Sequence, residues 1–350
     1  MLFRSPKQLA LDFEPYDDQL NAVIAAQTIG RGIIALPTGV GKSAVIAMLI
    51  AVTGLRTLVI VPNLELKKQL SDSLTKAFGV LDDITVENID SKALIKATDY
   101  DVLIIDEAHH SAARTYHKLN KTAWTKISRR FFLTATPFRN QENEQLLFEA
   151  ISGDVIYRLS YKDAISKGYI VPVEAYYIEV PKQKTDAYTW REVYSELVVH
   201  NEVRNDVIAS TLLRLNAGNK ATLCLVKEIE HGNILSQITG IPFVSGQDDA
   251  SRDYIRQFNA GEICSLLGTN GVIGEGVDTK LCEYVLIAGL GKAKSAFLQQ
   301  IGRAVRVYPD KESAKVILFK DRSHKWTIAH FNAQKKILLD EYGIDCVVLE

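Results

Sequence analysis

The chain has 350 residues, 47% hydrophobic, 24% charged and 8% aromatic, which excludes a disordered, collagen-like or coiled-coil polypeptide. Lys and Arg total 41 against 42 for Asp and Glu, a formal net charge of −1, so the chain is not a general polycation. At roughly 100–200 residues per domain, this length predicts two domains.

The opening run MLFRSPKQ lacks the apolar centre of a secretion signal, and the longest apolar run, 44–52, is under half a membrane span. A soluble, cytoplasmic protein with no membrane contact is expected. Short β-rich apolar runs then recur at 32–36, 57–61, 101–105 and 131–135, with helix-length segments at 43–51 and 64–77 between them. After the turn near 168–172 a second series follows, at 174–180, 222–226, 264–267, 284–288 and 315–319, with a helical segment at 207–216. Several runs lack strict polar alternation and read as strands buried on both faces. Strand–helix alternation of this kind predicts an α/β fold with mostly parallel sheets and right-handed crossovers. We place one domain at 1–170 and the other at 171–350. The charged, aromatic stretch 181–206 looks inserted at the start of the second domain and reads as helical. Its Tyr188, Trp190 and Tyr194 suit either stacking on exposed bases or packing on the second domain. The four cysteines, at 224, 264, 282 and 346, form no CxxC pair, so neither a disulfide framework nor a zinc cluster is expected.

The strand at 32–36 runs into Pro37-Thr38-Gly39-Val40-Gly41-Lys42-Ser43 and then into an apolar helix. Strand, glycine loop and helix are the setting that a phosphate-binding loop requires. Glycines let successive N–H groups turn towards phosphate oxygens at the positive end of the helix. Lys42 can neutralise β- and γ-phosphates, and the Ser43 hydroxyl can ligate Mg²⁺. A leucine at 36 replaces the first glycine of the full pattern, so the match is to its degenerate PTGxGKS form. Further on, DVLIIDEAHH carries a buried apolar strand into Asp106-Glu107-Ala108-His109. Two carboxylates are a poor end for a structural strand, but they suit a metal held by Asp106 and a water oriented by Glu107. Together the two motifs specify a nucleoside-triphosphate hydrolase.

With PTGVGKS and DEAH in this order, the chain resembles the superfamily 2 helicases, over roughly residues 13–308. Residues 132–137, FLTATP, look like the motif that couples hydrolysis to movement, implying coupling roles for His109, Thr134 and Thr136. LVIVPN at 58–63 looks like a loop that grips the nucleic-acid backbone, implying that Pro62 and Asn63 contact it. Residues 268–278 resemble the fifth motif, with Thr269 implied at a phosphate of the track and Gly276 and Asp278 at the nucleotide. Gln299-Gln300-Ile301-Gly302-Arg303-Ala304-Val305-Arg306 resembles the sixth, QxxGRxxR. There Gln300, Arg303 and Arg306 are implied to complete the catalytic site from the second domain. An arginine that meets charge developing on the phosphoryl oxygens raises the rate by about 10³–10⁵. The resemblance implies two tandem RecA-like domains with ATP and Mg²⁺ in the cleft between them.

The family usually reads adenine with Arg-x-Tyr-Gln; here the run is Glu14-Pro15-Tyr16-Asp17-Asp18-Gln19. Gln19 keeps the adenine-reading position, while Tyr16 either stacks on the base or simply packs.

The LTATP form and the connecting segments DEAHHSAARTYHKL and YRLSYKDAISKGYIVP look like the group of restriction subunits, XPB and UvsW-like phage branch-migration helicases. That likeness implies DNA, duplex or branched, bound with little sequence specificity. An RNA helicase, or an ATP-hydrolysing clamp that does not unwind, remains the alternative. The first motif begins close to residue 1 and 44 residues follow Arg306, so a bare motor core without nuclease or methyltransferase is expected. Between His110 and Asn140 lie Arg114, Lys118, Lys121, Lys126, Arg129, Arg130 and Arg139 and no acidic residue. This stretch either follows a phosphate track or forms ordinary solvated faces.

Overall fold

The computed structural model describes residues 9–11, 13–96, 98–108, 114–137, 142–246, 250–269, 271 and 281–349. Its internal contacts divide the chain into two compact units, Met1–Ser160 and Tyr161–Glu350.

In the first unit, α1 (Asp17–Ile29) leads into β1 (Arg31–Ala35), followed by α2 (Lys42–Thr53), β2 (Thr57–Val61), α3 (Leu64–Phe78) and β3 (Ile84–Asn88). The order continues with β4 (Val102–Ile105), α4 (Arg114–Lys121), β5 (Arg129–Thr134), α5 (Glu142–Ser152) and β6 (Val155–Arg158). The strands lie in the order β3-β2-β4-β5-β1-β6, and every pairing is parallel. Each strand must therefore return by a crossover, and helices cover the faces. Every residue of β2 and of β4 is buried, as their unbroken apolar sequences require. Below the sheet, Trp124, Phe132 and Phe148 pack with Ile60 and Ile105 in one core cluster. The edge strands β3 and β6 are only half-buried and have no continuous apolar run, so sequence patterning did not reveal them.

One member of the basic stretch leaves the surface. Arg130 is 7% exposed, and its guanidinium donates to the carbonyl oxygens of Ile127 (2.6 Å) and Trp124 and to Asn120 Oδ1. It ties down the loop before β5 and cannot follow a phosphate track. Lys118, Lys121 and Lys126 are exposed and Arg129 is half-buried. Arg139 lies outside the described residues.

The second unit begins with α6 (Tyr161–Ser166) and β7 (Val173–Val180), then α7 (Trp190–Tyr194) and α8 (Glu202–Ala217). It continues with β8 (Thr222–Val226), α9 (Ile229–Thr239), β9 (Phe243–Val244), α10 (Ser251–Asn259), β10 (Ser265–Thr269) and β11 (Tyr284–Ile287). Last come α11 (Lys294–Gly302), β12 (Ala314–Asp321), α12 (Lys325–Ile337) and β13 (Val347–Val348). The strand order is β13-β7-β12-β11-β8-β10-β9, again with parallel pairings throughout. Segment 181–206 is not helical throughout: 181–188 has no regular structure, and α7 continues as a π-turn at Ser195–Val199. Val193, Tyr194 and Leu197 are buried, whereas Tyr188 is 89% exposed. Packing thus accounts for Tyr194 and not for Tyr188.

All four cysteines are free thiols, and burial pushes those of Cys224 and Cys282 up to about 12. Among the described residues, no helix is long and apolar enough to cross a membrane.

Candidate functional site

Parallel strands in one sheet put the loops that follow them on one edge, and in α/β sheets ligands bind outside the carboxyl ends of strands. In the first unit the adjacent strands β2, β4, β5 and β1 bring Pro62, Asp106, Thr134 and the glycine loop to that edge. Ala35 of β1 lies opposite Thr134 of β5, and the Leu36 N–H donates to the Thr134 carbonyl at 3.0 Å. On the other side, the Asp106 N–H donates to the Ile60 carbonyl at 2.9 Å. Motifs far apart in sequence are thus fixed side by side by backbone hydrogen bonds.

The glycine loop turns through Gly39 (φ 93°) and Gly41 (φ 84°), both left-handed. Gly41 meets a second constraint, since a Cβ there would lie 2.8 Å from Gln19 Nε2. Lys42 and Ser43 open α2, at the helix end whose backbone N–H groups point out along the axis. Pro37 and Val40 are buried, Thr38 is half-buried, and Gly39, Gly41 and Ser43 are exposed.

Lys42 Nζ stands 3.2 Å from Glu107 Oε1, with both side chains largely shielded from water. Asp106 is 9% exposed, and its Oδ1 accepts the Glu107 N–H at 2.9 Å. Glu107 holds φ 45°, a left-handed conformation costly for a residue with a side chain. Strain of this kind persists where the surroundings over-determine it, and here it turns the Glu107 carboxylate to the lysine. Behind the pair, Thr134 Oγ1 accepts the Thr136 N–H at 3.1 Å, and both threonines are buried.

Gln19 is 2% exposed and is committed on both sides of its carboxamide. Its Oε1 accepts the Tyr16 N–H (3.0 Å), and its Nε2 donates to the carbonyls of Val40 (2.7 Å) and Gly41 (3.5 Å). It braces the glycine loop, a contact the sequence spacing alone did not reveal. Tyr16 is half-buried at the start of α1. Asn63 caps α3, accepting the Leu66 N–H at 2.9 Å, and Pro62 beside it is half-buried.

In the second unit Thr269 ends β10, half-buried. Gln300 lies in the last turn of α11 and Arg303 caps that helix. Arg306 sits beyond it in an antiparallel bridge with Ile170, next to the Val171 N–H to Val305 carbonyl bond of 2.9 Å. The two arginines are therefore held by different backbone structures. His109, Gly276 and Asp278 lie outside the described residues.

The donor set fits a magnesium nucleotide. Among the described residues no group of three or more His, Cys, Asp or Glu side chains could hold a metal. One carboxylate with one hydroxyl suits Mg²⁺, which keeps several waters and is shared with substrate phosphates. Lys42, 3.2 Å from Glu107, puts a positive charge beside the Asp106-Glu107 pair.

Two family models match: "Type III restriction enzyme, res subunit" at residues 12–99 and 84–139, and "Helicase conserved C-terminal domain" at 205–308. Rad25 of Haloarcula marismortui, which carries a DNA 3'-5' helicase name, is 26% identical over 83% of this chain and 49% of its own. The DNA 3'-5' translocase XPB2 of Sulfurisphaera tokodaii is 24% identical over 85% of this chain and 79% of its own. Among solved structures, a fragment of a type I restriction-enzyme HsdR subunit from Vibrio vulnificus superposes with a TM-score of 0.75. It is 20% identical, and the match covers 96% of this chain and 68% of the fragment. The chain thus has the fold of tandem RecA-like motor domains. It belongs to superfamily 2 of the helicases, in the group that joins XPB to the restriction-enzyme motor subunits. It spans about half the length of the Haloarcula relative.

Proposed function

We propose that the chain is an ATP-dependent DNA helicase or translocase that remodels branched DNA at forks and junctions. The observation that carries its ATP-hydrolysing part is the Lys42–Glu107 pair, 3.2 Å apart beside Asp106 at the carboxyl edge of the first sheet. Lys42 binds the terminal phosphates, and Ser43 and Asp106 would hold the metal. Glu107 orients the attacking water and accepts its proton, a role for which its strained backbone pre-positions it. Mg²⁺, when bound, would supply charge neutralisation to the phosphates. Gln300, Arg303 and Arg306 serve the transition state, and Gly276 and Asp278 the bound nucleotide. Gln19 reads adenine through whatever hydrogen-bonding capacity its loop contacts leave. Thr134 and Thr136, with His109, transmit hydrolysis to the grip on the track. Pro62, Asn63 and Thr269 contact phosphates rather than bases, so sequence specificity is low.

The choice of DNA is supported by the names of the relatives and by the restriction-subunit model at residues 12–139. The choice of branched DNA is supported by the UvsW-like wording of the connecting segments. A mobile four-way junction and a forked duplex, each with ATP and Mg²⁺, test it together. Junction resolution or fork unwinding that Glu107→Gln abolishes is the expected result. Vigorous ATPase without strand displacement or branch movement would replace the motor by a clamp.

A further inference from the structure

Arg306 is fixed by a different part of the chain from Arg303. Arg303 follows α11 directly, and the Ala304 N–H closes the turn on the Ile301 carbonyl at 2.8 Å. Arg306 lies past that turn, and residues 307–310 after it are exposed. Within this loop Asp310 is left-handed (φ 62°), and the Tyr308 carbonyl accepts the Lys311 N–H at 3.1 Å. A loop so exposed gains little from packing, so its ends decide where it stands.

Both ends are closed by one short segment, residues 170–174. At the entry Ile170 forms the antiparallel bridge with Arg306, and the Val171 N–H donates to the Val305 carbonyl at 2.9 Å. At the exit the Ala314 N–H donates to the Pro172 carbonyl at 2.8 Å, and the Ser313 hydroxyl donates to the Glu174 carboxylate. Val173 then lies opposite Ala314 as β7 and β12 begin. Ile170, Val171, Val305 and Ala314 are all buried, so water does not compete for these backbone bonds.

The segment is itself anchored. The second unit starts at Tyr161, and the Tyr161 ring is buried against Tyr342, with centroids 4.7 Å apart and planes at 47°. Tyr342 closes the π-turn Leu338–Tyr342 that follows α12. Gly168 (φ 71°) ends the turn after α6, and the Tyr169 N–H donates to the Ala164 carbonyl at 2.9 Å. Packed and hydrogen-bonded links therefore run from Tyr161 through Ile170 to Arg306.

We infer that residues 161–174 form a clasp whose positioning residues, Ile170 and Val171, set the place of Arg306 independently of Arg303. The inference rests on the motor reading above, in which Arg306 serves the transition state, and names what holds that arginine. A charged group that meets a developing charge works only in a narrow range of positions, and a misplacement of about 1 Å can cost about 10²-fold in rate. For Arg303 the hydrogen bonds of α11 supply the necessary rigidity. For Arg306, beyond the helix, the bridge to Ile170 and the neighbouring Val171–Val305 bond supply it.

The test uses the full chain with forked DNA, ATP and Mg²⁺. Val171→Pro removes the N–H that the Val305 carbonyl accepts. It should lower kcat about ten-fold or more and leave the affinity for magnesium ADP at the wild-type value. A double-mutant cycle separates positioning from general loosening. In an Arg306→Lys background Val171→Pro should cost nothing further, whereas in an Arg303→Lys background it should cost its full factor again. Equal cost in both backgrounds overturns the inference, as does a kcat for Val171→Pro within about two-fold of wild type. If the proline variant does not fold, an ester in place of the 170–171 amide removes the same N–H without a ring and decides alone. No turnover by the wild-type chain, or wild-type turnover by Arg306→Lys, overturns both this inference and the role given to Arg306. An impaired Arg306→Lys beside an unimpaired Val171→Pro overturns this inference only.

Discussion

His231 gives the second unit a built-in sensitivity to acid. Its side chain is 0% exposed on α9, and Nε2 lies 3.0 Å from Asn205 Oδ1. The Asn205 amide donates to the Val199 carbonyl at 2.9 Å, so Oδ1 must accept and the histidine proton sits on Nε2. Protonating Nδ1 would create a second buried cation near Arg204, itself fully buried. Burial first, then Arg204 and His200, depress the His231 pKa from 6.5 to about 3. The folded pKa lies below the unfolded one, so between about pH 3 and 6.5 the unfolded chain binds the extra proton. Stability from this group is complete above 6.5 and falls as the pH drops through that window, by about 1.4 kcal/mol per unit. Moving from pH 7 to pH 5 should cost the second unit about 2 kcal/mol. His231→Gln keeps a donor for Asn205 but cannot titrate. Urea unfolding of both proteins across pH 5–7, followed by hydrogen exchange at α9 amides, measures the difference. The wild-type profile should fall relative to the variant by that amount. Parallel profiles would mean that His231 is solvated or already charged, and the reasoning fails.

Other expectations concern the first unit. Lys42→Ala should abolish ATP binding, whereas Glu107→Gln should retain nucleotide affinity and lose turnover by at least about a hundred-fold, read by nucleotide titration beside steady-state ATPase. Gly41→Ala forces a Cβ against Gln19 at φ 84°. It should cost about 1–2 kcal/mol of local strain and raise the nucleotide Kd, with little change in melting of the remaining core. Arg130→Ala strips the donors from the Trp124 and Ile127 carbonyls and should destabilise the first unit by about 3 kcal/mol. DNA affinity should be unaltered by it, as measured by denaturation alongside a binding titration.

The two-sheet α/β architecture was legible in the sequence because central strands such as β2 and β4 are buried on both faces and so are written as unbroken apolar runs. Edge strands β3, β6, β9 and β13 are short or half-wet and left no such mark. At the candidate site, residue type and strand–loop setting single out Lys42, Asp106 and Glu107 in the sequence, and the fold brings the three together. The left-handed Glu107 was not readable, since nothing in its identity announces a positive φ. Nor was the brace from Gln19 to the glycine loop, which depends on where α1 packs. Arg130 misled because charge in sequence says nothing of burial; its acceptors are backbone carbonyls, invisible to composition.

The central claim is that the Lys42–Glu107 site hydrolyses ATP in response to DNA. ATP turnover should be compared at one salt concentration with no nucleic acid, linear duplex DNA, forked DNA and RNA, using wild type and Glu107→Gln. Stimulation by DNA, strongest with the fork and absent from Glu107→Gln, is the predicted result. Stimulation by RNA alone, or normal hydrolysis by Glu107→Gln, would contradict it.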